Sequence, residues 1–503
     1  MNSQSARPWC PLKLLDASEL LQRLIQLRRT VVREGDKLYQ AWKPNLKRRS
    51  FQDPARNLAH YLVLRHHDLR DLQTALMPWG LSSLGRLESR VLPNLDAVIA
   101  TLGLICREPP DHLPSRPSLV DFFAGAQHLQ QASDELFGPP RIDRRVRILV
   151  TLPTAAATDA ALVEALLAGG ADCVRINCAH DRPDQWAAMI AKVRQAAIAR
   201  SQSCKILMDL GGPKPRLLRV IPPNQRDRLC AGDFLLLTAH LPLGEHATWF
   251  QAQCSIPEIL DQIQPGDRVW IDDGKIGAVV ELHHPEGVLL RIVRSKPQGR
   301  RLKVDKGLNF PDSELAIAAL TPKDLQDLDF VARHADLVGY SFVQSAADMA
   351  WLQQELALRR ASTAPLLPII AKIETPKAVR NLPEMIVQAA GQHPLGIMIA
   401  RGDLAIEMGY QRLAEMQEEI LWICEAAQVP VIWATQVLEN LAKTGIPSRA
   451  EMSDVVLAER AECVMLNKGP FMVEAVKILE DVLHRMQAHQ SKKTPQLRAL
   501  KTW

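Results

Sequence analysis

Eight short apolar runs recur along the chain at a spacing that constrains its fold more than any other feature. They are VRILVTL from Val146, CVRIN from Cys173, KILMDL from Lys205, LVGYSF from Leu337, PIIAKI from Pro368, GIMIAR from Gly396, VIWAT from Val431 and VMLN from Val464. Successive starts lie 27, 32, 132, 31, 28, 35 and 33 residues apart. Between them the pattern is that of amphipathic helices, so the repeating unit is a strand followed by a helix. Eight such units at a near-constant step predict an α/β fold, a closed (β/α)8 barrel. The one long step predicts a separate module inserted after the third strand. That module, 217–309, contains AGDFLLLTA, GDRVWIDDG and GVLLRIV, short β-rich runs with Gly and Asp turns, and is expected to be a small β-barrel cap.

The predicted layout is therefore an N-terminal helical extension (1–140), the barrel (141–216 and 310–490), the cap (217–309) and a basic tail (491–503). From about Asp16 to Cys106 the apolar residues, such as Leu20, Leu21, Leu24, Ile25, Val31 and Val32, keep helical spacing and predict three or four helices. The proline-rich REPPDHLPSRPS (Arg107 to Ser118) should be a loop, followed by a short helix near Asp121 to Phe137. Thr321-Pro322 and Thr375-Pro376 each place a capping hydroxyl before a proline at the first helical position.

Composition removes several function classes. The 61 Lys and Arg residues against 56 Asp and Glu leave a net charge of only +5, too small an excess to suggest a nucleic-acid coat. Nine scattered cysteines without a CxxC pair argue against a disulfide framework and for a reducing, cytoplasmic setting. No stretch approaches a membrane span, and the N-terminal MNSQSARPWCPLKLL lacks the pattern of a signal sequence. The expected partners are small molecules, with no nucleic acid, no membrane, and a homo-oligomer formed through the barrel helices.

In such barrels the active site lies at the carboxyl ends of the strands. Five ends carry polar groups: Arg175 and Asn177, Asp209, Lys372 and Glu374, Arg401 and Asp403, and Thr435. Side chains two apart on a strand share a face, so Arg175 with Asn177, and Lys372 with Glu374, point the same way. Structural ion pairs at a barrel rim would give the same residues one pair at a time. As a set, Glu374 and Asp403 match the oxygen ligands that Mg²⁺ prefers, while Arg175, Lys372 and Arg216 face a multiply anionic ligand. A divalent ion with Lys and Arg clamps is the equipment of phosphoryl transfer. The same residues also suit a Mg²⁺-dependent lyase acting on pyruvate-like enolates.

At these positions the sequence resembles the pyruvate kinase family, in ordered segments from Arg145 to about Val476. AKIET (Ala371 to Thr375) resembles the strand 5 motif, which implies Lys372 as the transition-state lysine and Glu374 as a Mg²⁺ ligand. IMIARGDLAIE (Ile397 to Glu407) is similar to the strand 6 signature. It implies Asp403 as the second metal ligand and the backbone of Gly402 and Asp403 as the holder of the substrate carboxylate. WATQVLEN (Trp433 to Asn440) and SRAEMSDV (Ser448 to Val455) resemble the next segments, with Thr435 near the carbon that is protonated. RINCAH and MDLGGPKPR imply Arg175 on the transferring phosphoryl group and Asn177, His180 and Arg216 on the nucleotide. In the cap, IDDG and DKGLNFP imply that Lys306 reaches the nucleotide phosphates. The implied reaction moves a phosphoryl group from phosphoenolpyruvate to ADP, giving pyruvate and ATP.

The chain departs from that pattern in places. Ala179 replaces a hydroxyl that helps bind K⁺ together with the residues matching Asn177 and Asp209, while Lys214 stands where K⁺-independent members carry a lysine. The resemblance thus implies a degenerate K⁺ site, Lys214 in place of the ion, and activity without K⁺. TLPTAA (Thr151 to Ala156) lacks the family's Gly-Pro turn, and MLNKGPF (Met465 to Phe471) is a shortened strand 8 loop. These changes leave two consequences open, an altered nucleotide preference or a third reading, a barrel that binds phosphoenolpyruvate or nucleotide without turnover. The family's C-terminal domain has no counterpart before the tail SKKTPQLRALKTW, which is expected to be frayed and solvated, so control by a sugar phosphate is not expected. The N-terminal helices are expected to pack on the barrel or mediate subunit contacts. His66 and His67 are expected on a helix surface, not on a metal.

Overall fold

A computed structural model describes residues 16–223, 226–240 and 248–496. The N-terminal segment through Leu15 and the last seven residues of the basic tail lie outside the described residues. Two compact units are distinguished: one comprises the described part of Met1–Ala132 with Ala390–Gln392 and Trp422–Val429, and the other the remainder.

The first unit is helical. Its helices are Ala17–Trp42, Gln52–Arg65, Arg70–Leu76 and Val91–Cys106, with Leu119–Phe137 beginning after the proline-rich loop. Asp16 caps the first helix by accepting from the Glu19 amide at 2.7 Å. Leu20, Leu21, Leu24 and Val31 recur at helical spacing and are buried. Asn57 binds the unit together: its amide donates to the Ala426 carbonyl at 2.8 Å while its oxygen accepts from Val91 N at 2.9 Å. One segment departs from expectation, because Glu88–Cys106 is long and apolar enough to cross a membrane by length and composition. Here it is a core helix, with Val91, Leu95, Ile99 and Leu102 buried. His66 and His67 are exposed at a helix end.

In the second unit the eight runs form one closed parallel barrel. Its strands are β1 (Arg147–Thr151), β2 (Cys173–Asn177), β3 (Lys205–Asp209), β4 (Leu337–Tyr340), β5 (Ile369–Ile373), β6 (Leu395–Ala400), β7 (Val431–Ala434) and β8 (Cys463–Leu466). β8 closes on β1, with Leu466 opposite Val150. Inward positions alternate with period two, so apolar and polar layers stack along the axis. Leu149, Cys173, Leu207, Ile370, Met398 and Ile432 fill the lower layer, together with Leu136 and Phe137 from the segment preceding β1. At this end Arg144 donates to Asp172 at 2.8 Å, and Asp172 accepts from Ile148 N at 2.8 Å, ion pairing that belongs to stability. Thr321 and Thr375 cap their helices through the amides of Asp324 and Ala378.

The chain leaves the barrel after β3 and forms a seven-stranded sheet from Leu217–Ile221 to Leu308–Asn309. Leu235, Leu237, Phe250, Ala252, Val269 and Leu290 make its core. The outgoing and returning segments are tied to one another, Leu217 N to Lys306 O at 2.9 Å and Leu308 N to Pro215 O at 2.8 Å. The described part of the tail, through Gln496, differs from the solvated end expected of it. Gln490–Ser491 pairs with Thr494–Pro495 as a small antiparallel hairpin, anchored by an ion pair of Lys492 with Glu462 and by Gln490 Nε2 donating to Val456 O at 3.0 Å. Glu462 is buried; its Oε2 accepts from Val431 N at 2.9 Å and Lys492 pairs with its other oxygen.

Phe137 plugs the lower layer, so Phe137→Ala should cost about 3 kcal/mol or more and lower the denaturation midpoint clearly. Val120→Ala, at a side chain 70% exposed, should leave it unchanged. Equal midpoints for the two variants would contradict the plug.

Candidate active site

The polar layer above that apolar core is built by the same alternation. Two residues beyond Cys173, Leu207 and Ile370 come Arg175, Asp209 and Lys372, and Glu374 follows on the same face. All four are nearly inaccessible, at 9%, 0%, 8% and 3% exposure, so each needs a partner. Asp209 supplies two. Its Oδ2 accepts from Arg175 Nε at 2.7 Å and lies 3.3 Å from Lys372 Nζ. Burial works against its charge, but Lys372 and Arg175 outweigh burial and hold the carboxyl below its usual range. Gly339, opposite Asp209 on β4, makes room: a Cβ there would collide with Asp209 Oδ1, an oxygen that has no hydrogen-bond donor.

Lys372 also donates to Ser341 Oγ at 2.6 Å and lies 3.2 Å from Glu374 Oε1. Burial opposes its charge, while Asp209 and Glu374 together hold the ammonium above its ordinary value. Glu374 Oε2 accepts from Phe342 N at 2.6 Å. Its carboxyl is pushed up, by burial first and further by the negative charge of Asp403, against the pull of Lys372.

Asp403 lies in the first turn of the helix Arg401–Met408. Lys214 Nζ sits 2.6 Å from its Oδ1 and 3.6 Å from Asp273 in the cap. Lys214 thus lies against the carboxylates of Asp403 and the cap, while Asp209 faces Arg175 and Lys372. Asn177 caps its own loop by accepting from Ala179 N at 3.1 Å.

The loop after β7 is strained. Thr435, Gln436 and Leu438 have φ of 62°, 57° and 46°, a left-handed backbone that costs residues with side chains about 1 kcal/mol or more each. Arg401 holds it there, donating to Ala434 O at 3.1 Å and Thr435 O at 2.6 Å, pairing with Asp454 at 2.8 Å, and stacking 4.7 Å over Trp433. Thr435 Oγ1 in turn accepts from Gly402 N at 2.7 Å. The Gly402 amide, expected to hold a substrate carboxylate, is thus engaged by Thr435.

The remaining predicted residues lie apart from this cluster. Lys306 pairs with Asp272 at 2.9 Å within the cap, and Arg216 donates to Asp305 O at 3.0 Å. His180 is pushed below its ordinary pKa by burial and then by the nearby charge of Lys468. Sequence reasoning did not single out Ser341, Phe342 N, Asn309 or Glu407. Asn309 Nδ2 donates to Glu407 Oε1 at 2.8 Å and lies 3.4 Å from Asp403, joining the returning cap segment to the Asp403 helix. The polar residue directly after β4 is a signal that could have found Ser341.

Could this set hold a divalent ion? Two carboxylates that repel one another, each with a lysine ammonium drawn to it, offer the hard oxygen ligands that fit Mg²⁺. Among the described residues no group of three His, Cys, Asp or Glu side chains could hold a metal. The eight described cysteines are free.

Fold and site together define a (β/α)8 barrel enzyme with an inserted β cap, whose mouth opposes paired carboxylates to fixed cations for a polyanionic ligand. A family profile described as pyruvate kinase, barrel domain, matches residues 143–476. The chain is 33% identical over 351 residues to a pyruvate kinase of Methylorubrum extorquens, covering 68% of this chain and 69% of the relative. It is 30% identical over 361 residues to one of Mycobacterium tuberculosis (70% and 72%) and 31% identical over 364 residues to human pyruvate kinase PKLR (69% and 61%). The chain belongs to the pyruvate kinase family.

Glu407 offers a pH test. Burial raises its carboxyl from 4.5 to about 7, opposed by Asn309 and reinforced by Asp403. An acid raised in the folded state binds more protons there than when unfolded, so its stabilisation is complete below pH 4.5 and lost as pH rises through about 7. With divalent ions chelated, Glu407→Gln should therefore gain thermal stability relative to the parent between pH 5 and pH 8. A difference that does not change with pH would contradict the burial.

Proposed function

We propose that this chain catalyses Mg²⁺-dependent phosphoryl transfer between phosphoenolpyruvate and ADP, giving pyruvate and ATP. The observation that carries the reading is the convergence of Arg175, Lys372, Glu374 and Asp209 in one buried layer with Asp403 coupled to it. Mg²⁺ would be held by Glu374 and Asp403 and would neutralise negative charge on the substrate oxygens.

The chain's own residues do the rest. Lys372 and Arg175, fixed by Asp209 before any ligand arrives, present positive charge to the phosphoryl group without reorganising during transfer. The first-turn amide of Asp403 faces the substrate carboxylate, and Thr435, whose oxygen is occupied by Gly402 N, keeps its own proton free to point at the substrate. A threonine hydroxyl is too weak an acid to be the ultimate proton source, so water delivers the proton that completes pyruvate. Asn177, His180 and Arg216 take the nucleotide. Lys306 exchanges Asp272 for the nucleotide phosphates when the cap closes and water is excluded.

K⁺ is not required in this reading. Ala179 lacks a ligand oxygen, Asp209 already carries two cations, and Lys214 brings a permanent positive charge to the neighbouring carboxylates. The cation neighbours specific to nucleotide binding favour transfer over the lyase reading, which would not use Arg216 or Lys306.

The test is pyruvate formation from phosphoenolpyruvate, ADP and Mg²⁺, with and without K⁺. The parent should turn over in both, and Lys372→Ala should lose at least 10³-fold, the scale of removing a transition-state charge contact. Equal rates for parent and Lys372→Ala would reject the mechanism, and a strict K⁺ requirement would reject the account of Lys214 and Asp209.

A further inference from the structure

A cavity of about 300 Å³ opens at the root of the cap, beside the site and apart from it. Arg175, Lys372, Glu374 and Asp403 take no part in its walls. One wall is the segment returning from the cap, Leu308 to Leu315 with Ile317, together with the outgoing Pro213 and Pro215. The opposite wall belongs to the barrel: Phe342 and Gln344 after β4, and Thr375 to Lys377 with Arg380 after β5. The returning segment is fastened to the cap. Arg268 Nε donates to Asp312 at 2.7 Å, Ser313 Oγ to Asp267 at 2.6 Å, and Ala316 N to Gln262 Oε1 at 2.7 Å. The ion pair of Arg380 with Glu314, at 2.9 Å, spans the two walls.

The lining suits one kind of occupant. Leu308, Phe310, Leu315, Ile317 and Phe342 make it largely apolar. Its charged groups are mostly answered: Arg380 by Glu314, Asp312 by Arg268 at 2.6 Å, and Glu407 by Asn309 Nδ2 at 2.8 Å. Lys377 is the exception. It is half-buried, and among the described residues its ammonium has no ion-pair or hydrogen-bond partner. An apolar cavity with one unanswered ammonium recognises a small acid that carries an apolar body. The cavity also touches the supports of both candidate metal carboxylates. Phe342, at a left-handed φ of 54°, donates its amide to Glu374 at 2.6 Å, and Asn309 joins Glu407 to Asp403.

We propose that this cavity is an inhibitory effector site for small apolar carboxylic acids, which bind through Lys377 and hold the cap off the barrel mouth. Lys306 lies on Asp272 within the cap, the arrangement that precedes closure in the proposed reaction. The two chain crossings at the root of the cap, 213–215 and 308–310, both contribute to the cavity walls, so closure changes the cavity's shape. A ligand that fits the present shape opposes closure to the extent that it prefers that shape. The inhibition rests on the phosphoryl-transfer reading given above; binding of the acid does not.

The test is equilibrium binding of 2-naphthoate to the full chain, followed by the fluorescence of the acid, with uncharged 2-naphthamide as the control. Initial rates of pyruvate formation are measured alongside. Lys377→Ala should weaken the acid about tenfold, the size of one charge-assisted contact, and leave the amide unchanged, while Lys377→Arg restores most of the loss. Ile317→Trp, which fills the cavity, should remove acid and amide alike. Should that variant not fold, the Lys377 variants decide alone. The acid should slow pyruvate formation by the parent and spare Lys377→Ala, and phosphoenolpyruvate, ADP and Mg²⁺ together should weaken its binding in return. No uptake by the parent at millimolar acid, or binding indifferent to Lys377→Ala, overturns the site. Acid bound through Lys377 without any slowing of the reaction overturns the inhibition. A parent that binds the acid through Lys377 yet forms no pyruvate refutes the proposed activity and leaves the binding site standing.

Discussion

Asp209 is the fixed point of the site. It is wholly buried in the polar layer of the barrel and answers two cations, Arg175 and Lys372, that the alternation of β2 and β5 turns inward. Two buried cations without it would be strongly destabilising, of the order of 3 to 5 kcal/mol for a broken buried pair. With it they are held in place before substrate arrives. Glu374 and Asp403 are matched in the same way by Lys372 and Lys214. The cluster is charge-balanced without ligand.

Around this point the structure stores strain and removes freedom. Arg401 spends its guanidinium on Ala434 O, Thr435 O and Asp454, and so holds three left-handed residues after β7. That places the Thr435 hydroxyl against the Gly402 amide, beside the helix turn that carries Asp403. Asn309 and Glu407 link the same helix to the segment returning from the cap. The position of the Asp403 carboxylate is thus tied both to the loop after β7 and to the cap.

Period and spacing made the barrel legible, because a strand can turn alternate residues inward and a parallel strand requires a crossover. The eight apolar runs became the eight strands, and Arg175, Asp209, Lys372 and Glu374 met where alternation sends them. Choice of partner was not legible. Lys214 pairs with Asp403, a choice that only distances reveal. The Phe342 amide, which holds Glu374, is a backbone group that residue type does not reveal, whereas Ser341, which holds Lys372, could have been noticed as the polar residue after β4. Leu136 and Phe137 end the short helix expected near Asp121 to Phe137, and that they fill the lower barrel layer could not be read from its pattern. The hairpin of the tail depends on buried Glu462, a partner nearly thirty residues earlier.

The account turns on Glu374 and Asp403 forming one cation-binding locus opposed by fixed positive side chains. A crystal structure with Mn²⁺ in place of Mg²⁺ tests it most directly, through the anomalous signal of the ion. A single peak within bonding distance of both carboxylates, with the Lys214 ammonium moved off Asp403, is the predicted result. A peak that touches neither, or touches one while Lys214 stays on Asp403, would contradict it.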